Sequence, residues 1–299
     1  MGAREFEVQT EDGRRLIAAV AGPEDGELLL FHPGTPSCRL LFDRHIEEGA
    51  ERGLRHVIYS RPGYHGSDRK AERSYADSAA DSAAVADALG VDSFYVLGMS
   101  GGGGPALACA ALLPDRVQSA ASVAAFRPRA PGEDPDWLTD VIDSSVKEFD
   151  ALQRGEEEFL VFLQAALDGM ARVEDGPQLI AALEEAEAIC PADRACLEGD
   201  FLDLQLSAWQ RTSRDSIWGW FDDNWAMWNE WEFDLSQITV PARIWQGGRD
   251  KLVPRHHGSW LARNTAGAEF FLREDDGHHS LFRNHYGAML DDLIASARS

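Results

Sequence analysis

Gly98-Met99-Ser100-Gly101-Gly102 is a G-x-S-x-G run with an apolar stretch before it and Gly103-Gly104-Pro105-Ala106 after it. A nucleophile at a tight strand-to-helix turn needs glycine on either side, because the bend leaves no room for a Cβ and lifts the serine hydroxyl clear of the backbone. A helix starting there points its free N–H groups and positive dipole end at any oxyanion formed on the serine, and its first turn accepts a proline. The chemistry such a serine does is acyl transfer, given a base to take its proton and a second N–H for the oxyanion. Asp250, in Gln246-Gly247-Gly248-Arg249-Asp250, is an acid just past a strand-like run. His278, in Glu274-Asp275-Asp276-Gly277-His278-His279, is a base just past the next one. His32-Pro33-Gly34-Thr35-Pro36 is a turn that could bring a backbone N–H to the same place, so Thr35 and Gly101 are the candidate oxyanion donors.

These residues need a frame to hold them. Strand patterns cover residues 5–10, 16–21, 27–32, 56–60, 94–99, 118–124, 242–246 and 268–272. Glu11-Asp12-Gly13 joins the first two as a hairpin, and from Leu28 the strands read as near-continuous apolar runs, as parallel strands covered on both faces do. The expected fold is therefore α/β, an eight-stranded and mostly parallel sheet flanked by helices. Ser74-Tyr75-Ala76-Asp77 has the form of a capping box and Gly90 of a left-handed helix stop, which bracket one helix. Further helices are expected at 256–264 and 281–297. Ahead of these, from Trp137 to about Asp223, the chain reads as consecutive amphipathic helices. The organisation expected is a core of residues 1–126 and 236–299 interrupted by an all-helical cap of residues 127–235.

With Ser100, Asp250 and His278 in the order nucleophile, acid, base, each at a strand's C-terminal edge, the sequence resembles the α/β-hydrolase fold superfamily in its cap-bearing branch. The resemblance covers about residues 5–125 and 236–297, and it implies a serine nucleophile, an oxyanion turn at Pro33-Gly34-Thr35-Pro36 and a lid after the sixth strand. Pro33 stands where that family's turn usually has histidine, and His32 comes one position early. Ser60-Arg61-Pro62-Gly63-Tyr64-His65-Gly66-Ser67 is similar to the family's turn after the fourth strand and is read mainly as structural.

Rival assignments are weaker. Adjacent residues point in different directions, so His279 does not share the place of His278; Asp275 and Asp276 are too close in sequence to reach behind the imidazole. No acid follows the sixth strand, where Ala124-Ala125-Phe126-Arg127 stands. The other histidines, His45, His56, His65, His256, His257 and His285, suit surface or loop roles. No Cys/His/acid spacing suggests a metal, and Gly101 to Gly104 lacks the context of a dinucleotide fingerprint, so no cofactor or metal is expected.

Six of the nine tryptophans fall between Trp209 and Phe233, in the expected cap. Trp218, Trp220, Phe221, Trp225 and Trp228 are thus the candidate substrate contacts, and the expected substrate is a hydrophobic ester, thioester or lactone. The net charge is 28 − 51 = −23, which opposes nucleic acid, anionic membranes and polyanionic substrates. Glu156-Glu157-Glu158 and Glu184, Glu185 and Glu187 mark the cap's solvated face. Four cysteines without metal or redox spacing, no signal-like N-terminus and no membrane-length apolar run point to a reduced, cytoplasmic protein. Expected partners are the small substrate and at most a second copy of the chain. Two other classes fit the same residues: a cofactor-free lyase or oxygenase, and a ligand receptor with a vestigial triad.

Overall fold

Alternating side chains set the first hairpin. β1 (Arg4–Gln9) and β2 (Arg15–Ala21) pair antiparallel across the Glu11-Asp12-Gly13 turn, where Gly13 supplies a φ of +83°. The computed structural model describes residues 2–298 except 37, 38, 131 and 133, so Cys38 lies outside the described residues. β3 (Glu27–His32), α1 (Asp43–Ala50), β4 (Leu54–Tyr59), α2 (Tyr75–Ala88), β5 (Phe94–Met99), α3 (Gly103–Leu112) and β6 (Val117–Val123) follow. The segment between β6 and β7 contains α4 (Asp143–Arg154), α5 (Glu156–Ala171), α6 (Gly176–Glu185), α7 (Pro191–Cys196), α8 (Gly199–Thr212) and α9 (Ile217–Trp228). The chain closes with β7 (Ala242–Gly247), α10 (Arg255–Asn264), β8 (Glu269–Arg273) and α11 (His278–Ala297).

The eight strands form one sheet in the order β1-β2-β4-β3-β5-β6-β7-β8, parallel from β4 to β8. Strand alternation splits the core in two. Leu28, Leu30, Phe94, Val96 and Ala120 face α2 and α3, whereas Leu29, Tyr95, Leu97 and Ala121 face α11. The first of these clusters runs on without a break into Trp137, Phe149, Phe159, Leu163, Trp220 and Phe221 of the helical insert, and a satellite cluster gathers around Leu179, Leu183, Leu197 and Phe201. The acidic runs of the insert, Glu156 to Glu158 and Glu184, Glu185 and Glu187, are exposed.

Two departures from the sequence expectation matter. α1 had no local signal, and α11 starts at His278 rather than near Leu281, so the candidate base is the first residue of a helix. Nor are all the remaining histidines on the surface or in loops: His45, His56 and His257 are buried in α1, β4 and α10, and His32 is fully buried at the end of β3. Gly49 makes this possible for His56, since a Cβ there would lie 1.9 Å from the His56 ring. His56 Nε2 pairs with the Tyr286 hydroxyl at 2.6 Å, and the Tyr286 ring stacks on His45.

Burial disfavours the imidazolium, pushing His32 down to about 3, His56 to about 4 and His257 to about 2, with His45 well below its ordinary value. The unfolded chain then binds more protons than the folded one below pH 6.5, so stability falls with acidification. Between pH 7 and 5.5 the loss is about 1 kcal/mol for each of the first three histidines. Burial pushes the Glu148 carboxyl up to about 7, which works the other way and offsets one of them. Urea unfolding should show lower stability at the more acidic of the two pH values, because the buried histidines outnumber the one carboxyl that opposes them, and an unchanged midpoint would mean that these rings are hydrated in the folded protein.

Candidate active site

Ser100 follows β5 directly, with φ +54°, and opens a short 3-10 turn to Gly102 before α3 begins. Glycine is obligatory around it. A Cβ on Gly98 would sit 2.0 Å from the Gly102 carbonyl oxygen, and one on Gly102 would sit 2.1 Å from that of His32. The G-x-S-x-G spacing therefore reflects backbone packed on backbone, with the strained left-handed conformation left to the serine itself.

The sheet order places the loops. β3 lies beside β5 with His32 opposite Gly98, so the Pro33 to Pro36 turn leaves the sheet alongside Ser100, at the point where strand order reverses. A Cβ on Gly34 would touch the Ser100 Cβ at 3.3 Å, and one on Gly101 would come 2.2 Å from Thr35 Oγ1 and 3.2 Å from Thr35 N. Thr35 and Gly101 are thus neighbours across the turn. His32 turns away behind the sheet, with Nε2 3.2 Å from Ser82 Oγ and 3.8 Å from Cys109 Sγ, so it has no part beside Ser100.

β7 lies beside β8 with Gly247 opposite Arg273, and here too the loops pack backbone on backbone. A Cβ on Gly247 would meet the Gly277 carbonyl oxygen at 2.5 Å, and one on Gly248 that of Glu274 at 2.6 Å. Asp250 is buried; its Oδ1 accepts from the N–H groups of Leu252 (2.9 Å) and Val253 (2.8 Å), and its Oδ2 lies 2.8 Å from His278 Nδ1. Burial disfavours the charged imidazole of His278, yet the Asp250 carboxylate outweighs burial and the pKa is raised. Asp250 and His278 are therefore joined, whereas Ser100 Oγ makes no hydrogen bond to either among the described residues; in unliganded sites such contacts are often long and tighten on substrate binding.

The rival groups are engaged elsewhere. Asp275 pairs with Arg249, and Asp276 accepts from Asn284 and lies 2.8 Å from His285 Nε2. His279 meets His278 edge to face, and burial pushes it down to about 4. Of the aromatic candidates, Trp218 lies under the Arg69 guanidinium, Phe221 packs on Phe159 and Trp218, and Trp228 stacks on Phe149 and meets Trp137 edge to face. Trp220 is buried beside the half-buried Glu148, whose carboxylate accepts from Asn224, and Trp225 is half-buried. Packing thus already occupies faces of Trp218, Phe221 and Trp228. Among the described residues no cluster of His, Cys, Asp and Glu could hold a metal ion.

The sequence reading missed what holds the Pro33 to Pro36 turn. Asp223, on α9, is buried and accepts from Arg61, Arg73, the Tyr64 hydroxyl (2.8 Å) and Thr35 Oγ1 (2.8 Å). Arg61, 1 % exposed, also donates to the carbonyls of Pro33 and Gly34. The turn bearing Arg61 is thus structural in a specific sense: it fastens the backbone that carries the Thr35 N–H. The paired arginines outweigh burial and hold the Asp223 carboxyl far below its usual range. The one available signal was a pair of aspartates inside an aromatic run, Trp220-Phe221-Asp222-Asp223-Asn224-Trp225, because charge in an apolar stripe demands partners.

A family model described as alpha/beta hydrolase fold matches residues 27–286. A non-heme chloroperoxidase of Streptomyces lividans is 33% identical over 123 residues, 40% of this chain and 45% of that protein, so the chain spans less than half the length of that curated relative. Among solved structures, a bromoperoxidase from Bacillus anthracis superposes with a TM-score of 0.71 at 17% identity, covering 99% of this chain and all of that one. An esterase from Exiguobacterium antarcticum gives 0.67 at 21% identity over the whole of both chains. An enol-lactonase from Burkholderia xenovorans LB400 gives 0.67 at 17% identity, covering 98% of this chain and 100% of that one. At these identities the likeness of the structures is one of fold.

Proposed function

The chain belongs to the alpha/beta hydrolase fold family, and from that premise we propose that it is a serine hydrolase cleaving a hydrophobic carboxylic ester, thioester or lactone. One observation carries the reading. A buried carboxylate, held by two backbone N–H groups, is hydrogen-bonded to an imidazole on the loop beside it, and the loop order of the sheet puts a serine at left-handed φ on the same edge. His278 takes the Ser100 proton as Oγ attacks the carbonyl carbon, and Asp250 fixes the tautomer and stabilises the imidazolium. The Thr35 and Gly101 amides receive the oxyanion, and His278 returns the proton to the leaving alcohol or thiol. Water, deprotonated by the same imidazole, releases the acid.

Residues 1–126 and 236–299 act as the catalytic core and 127–235 as a cap whose aromatic residues, Trp220 and Trp225 foremost, shape an apolar acyl or alcohol pocket. A cytoplasmic protein free of cofactor, working on a small uncharged substrate as monomer or homodimer, completes the reading. No helix among the described residues is long and apolar enough to cross a membrane.

A fluorophosphonate probe followed by intact mass tests the proposal. Wild type should gain one adduct at neutral pH and Ser100→Ala none; an unlabelled wild type that binds small hydrophobic ligands would point instead to a receptor. Adduct formation without turnover of aryl esters would favour a lyase. The peroxidase names of two similar proteins support a second reading, halide oxidation at the same site with hydrogen peroxide as the oxidant and no bound cofactor. Turnover that needs both peroxide and halide and is lost in Ser100→Ala would favour it.

A further inference from the structure

α11 begins at His278, and the residue at its N-cap, Gly277, has no side chain with which to satisfy the free N–H groups of the first turn. The missing acceptor arrives from the helical insert. Asp193, on α7 and fully buried, accepts through Oδ1 from Ser280 N at 2.8 Å and Ser280 Oγ at 2.9 Å, and through Oδ2 from His278 N at 3.2 Å and Cys190 N at 3.3 Å. Gly277 is what lets it in, since a Cβ there would lie 2.1 Å from Asp193 Oδ2. Gly277 N in turn donates to Ser280 Oγ at 2.8 Å, so the whole first turn around the imidazole is tied to one carboxylate.

We propose that Asp193 is a positioning residue for His278, a cap supplied across the domain that keeps the imidazole on Asp250 only while the helical insert is docked. This rests on reading His278 as the base. The backbone at 278 is held on one side by Asp193, and the ring on the other by Asp250. Few other charged groups face the ring. They are Asp250 from the loop after β7, Asp193 from α7, and His279 from its own helix, which burial keeps neutral near pH 7. A buried anion at 193 therefore favours the imidazolium that forms when Ser100 attacks, in addition to fixing its place. A lid that moved away would take the N-cap with it, which couples the position of the insert to the competence of the base.

The decisive variant is Asp193→Asn in the full chain, which keeps one acceptor oxygen and the shape but removes the charge. We expect kcat for a chromogenic aryl ester and the rate of phosphonate labelling of Ser100 to fall about 10- to 100-fold with KM within about twofold. The acid limb of the pH profile should move to lower pH, a change that simple destabilisation does not produce. Wild-type labelling with an unmoved acid limb in the folded variant would overturn the proposal. Should Asp193→Asn fail to fold, Ser280→Ala removes one donor that places the carboxylate and leaves its charge: a fall in kcat and in the labelling rate of Ser100 at unchanged KM supports the assignment, and wild-type kcat overturns it. If wild type neither labels nor turns over, it is the hydrolase reading that fails. NMR titration of His278 then decides the positioning role alone, upheld by a lower pKa in Asp193→Asn and rejected by an equal one.

Discussion

Asp250→Asn is expected to lower kcat on an aryl ester by about four orders of magnitude while the fold stays intact. The geometry explains both halves of that statement. Oδ1 of Asp250 accepts from two backbone N–H groups, so an asparagine will keep its oxygen there and turn its NH2 toward His278. The amide then donates to Nδ1, where the carboxylate had accepted a hydrogen bond from Nδ1–H, and the imidazole proton is driven to Nε2. An imidazole protonated at Nε2 cannot take the Ser100 proton. Binding survives, so KM should change far less than kcat. Circular dichroism and thermal unfolding would confirm the fold, and turnover near the wild-type rate would show that another group orients the base.

Asp223→Ala should destabilise the protein by about 3–5 kcal/mol, because it strands Arg61 and Arg73 in the interior without a counter-charge. Both arginines are almost without exposure, so water cannot take over the role of the carboxylate. The same change cuts the link from α9 to Thr35 and loosens the oxyanion turn, so the fraction that remains folded should also turn over slowly. Asp223→Ala combined with Arg73→Met should be more stable than Asp223→Ala alone, since it removes one of the two stranded charges; chemical unfolding of the four members of that cycle measures the coupling. Equal stability of the single and double variants would mean that the arginines find other partners. Buried charge of this kind is a weak contributor to stability; what Asp223 does here is join α9 to the Pro33 to Pro36 turn.

The architecture was legible before any coordinates. Every strand pattern read from the sequence became a strand, because period-two alternation and apolar runs are local properties of the chain. The serine turn was legible for the same reason: the glycines at 98 and 102 answer to collisions with atoms a few residues away or on the neighbouring strand. Chain order then placed Asp250 and His278 on the same sheet edge, since parallel strands deliver all their C-terminal loops to one side. α1 was not legible. Its start has no side-chain cap and its buried face, His45, Ile46 and Gly49, holds one large aliphatic side chain, so the helix is defined by what it packs against, β4 and α11.

What sequence alone determined here is a fold and three residues able to do acyl-transfer chemistry, each announced by spacing within a short window. What only the tertiary structure decided is how those residues are held. Asp223 meets Thr35 across 188 residues and Arg61 across 162, and Asp193 meets His278 across 85. An aspartate in a helix, even one set in an aromatic run as Asp223 is, does not tell from the sequence which donors it meets, because its neighbours in sequence lie on other faces of the helix. Its role is set by the donors that folding brings to it, and a buried carboxylate without donors would not persist. The candidate nucleophile, acid and base could therefore be read along the chain, while the partners of the two carboxylates that hold the Pro33 to Pro36 turn and the backbone of His278 are set only in space.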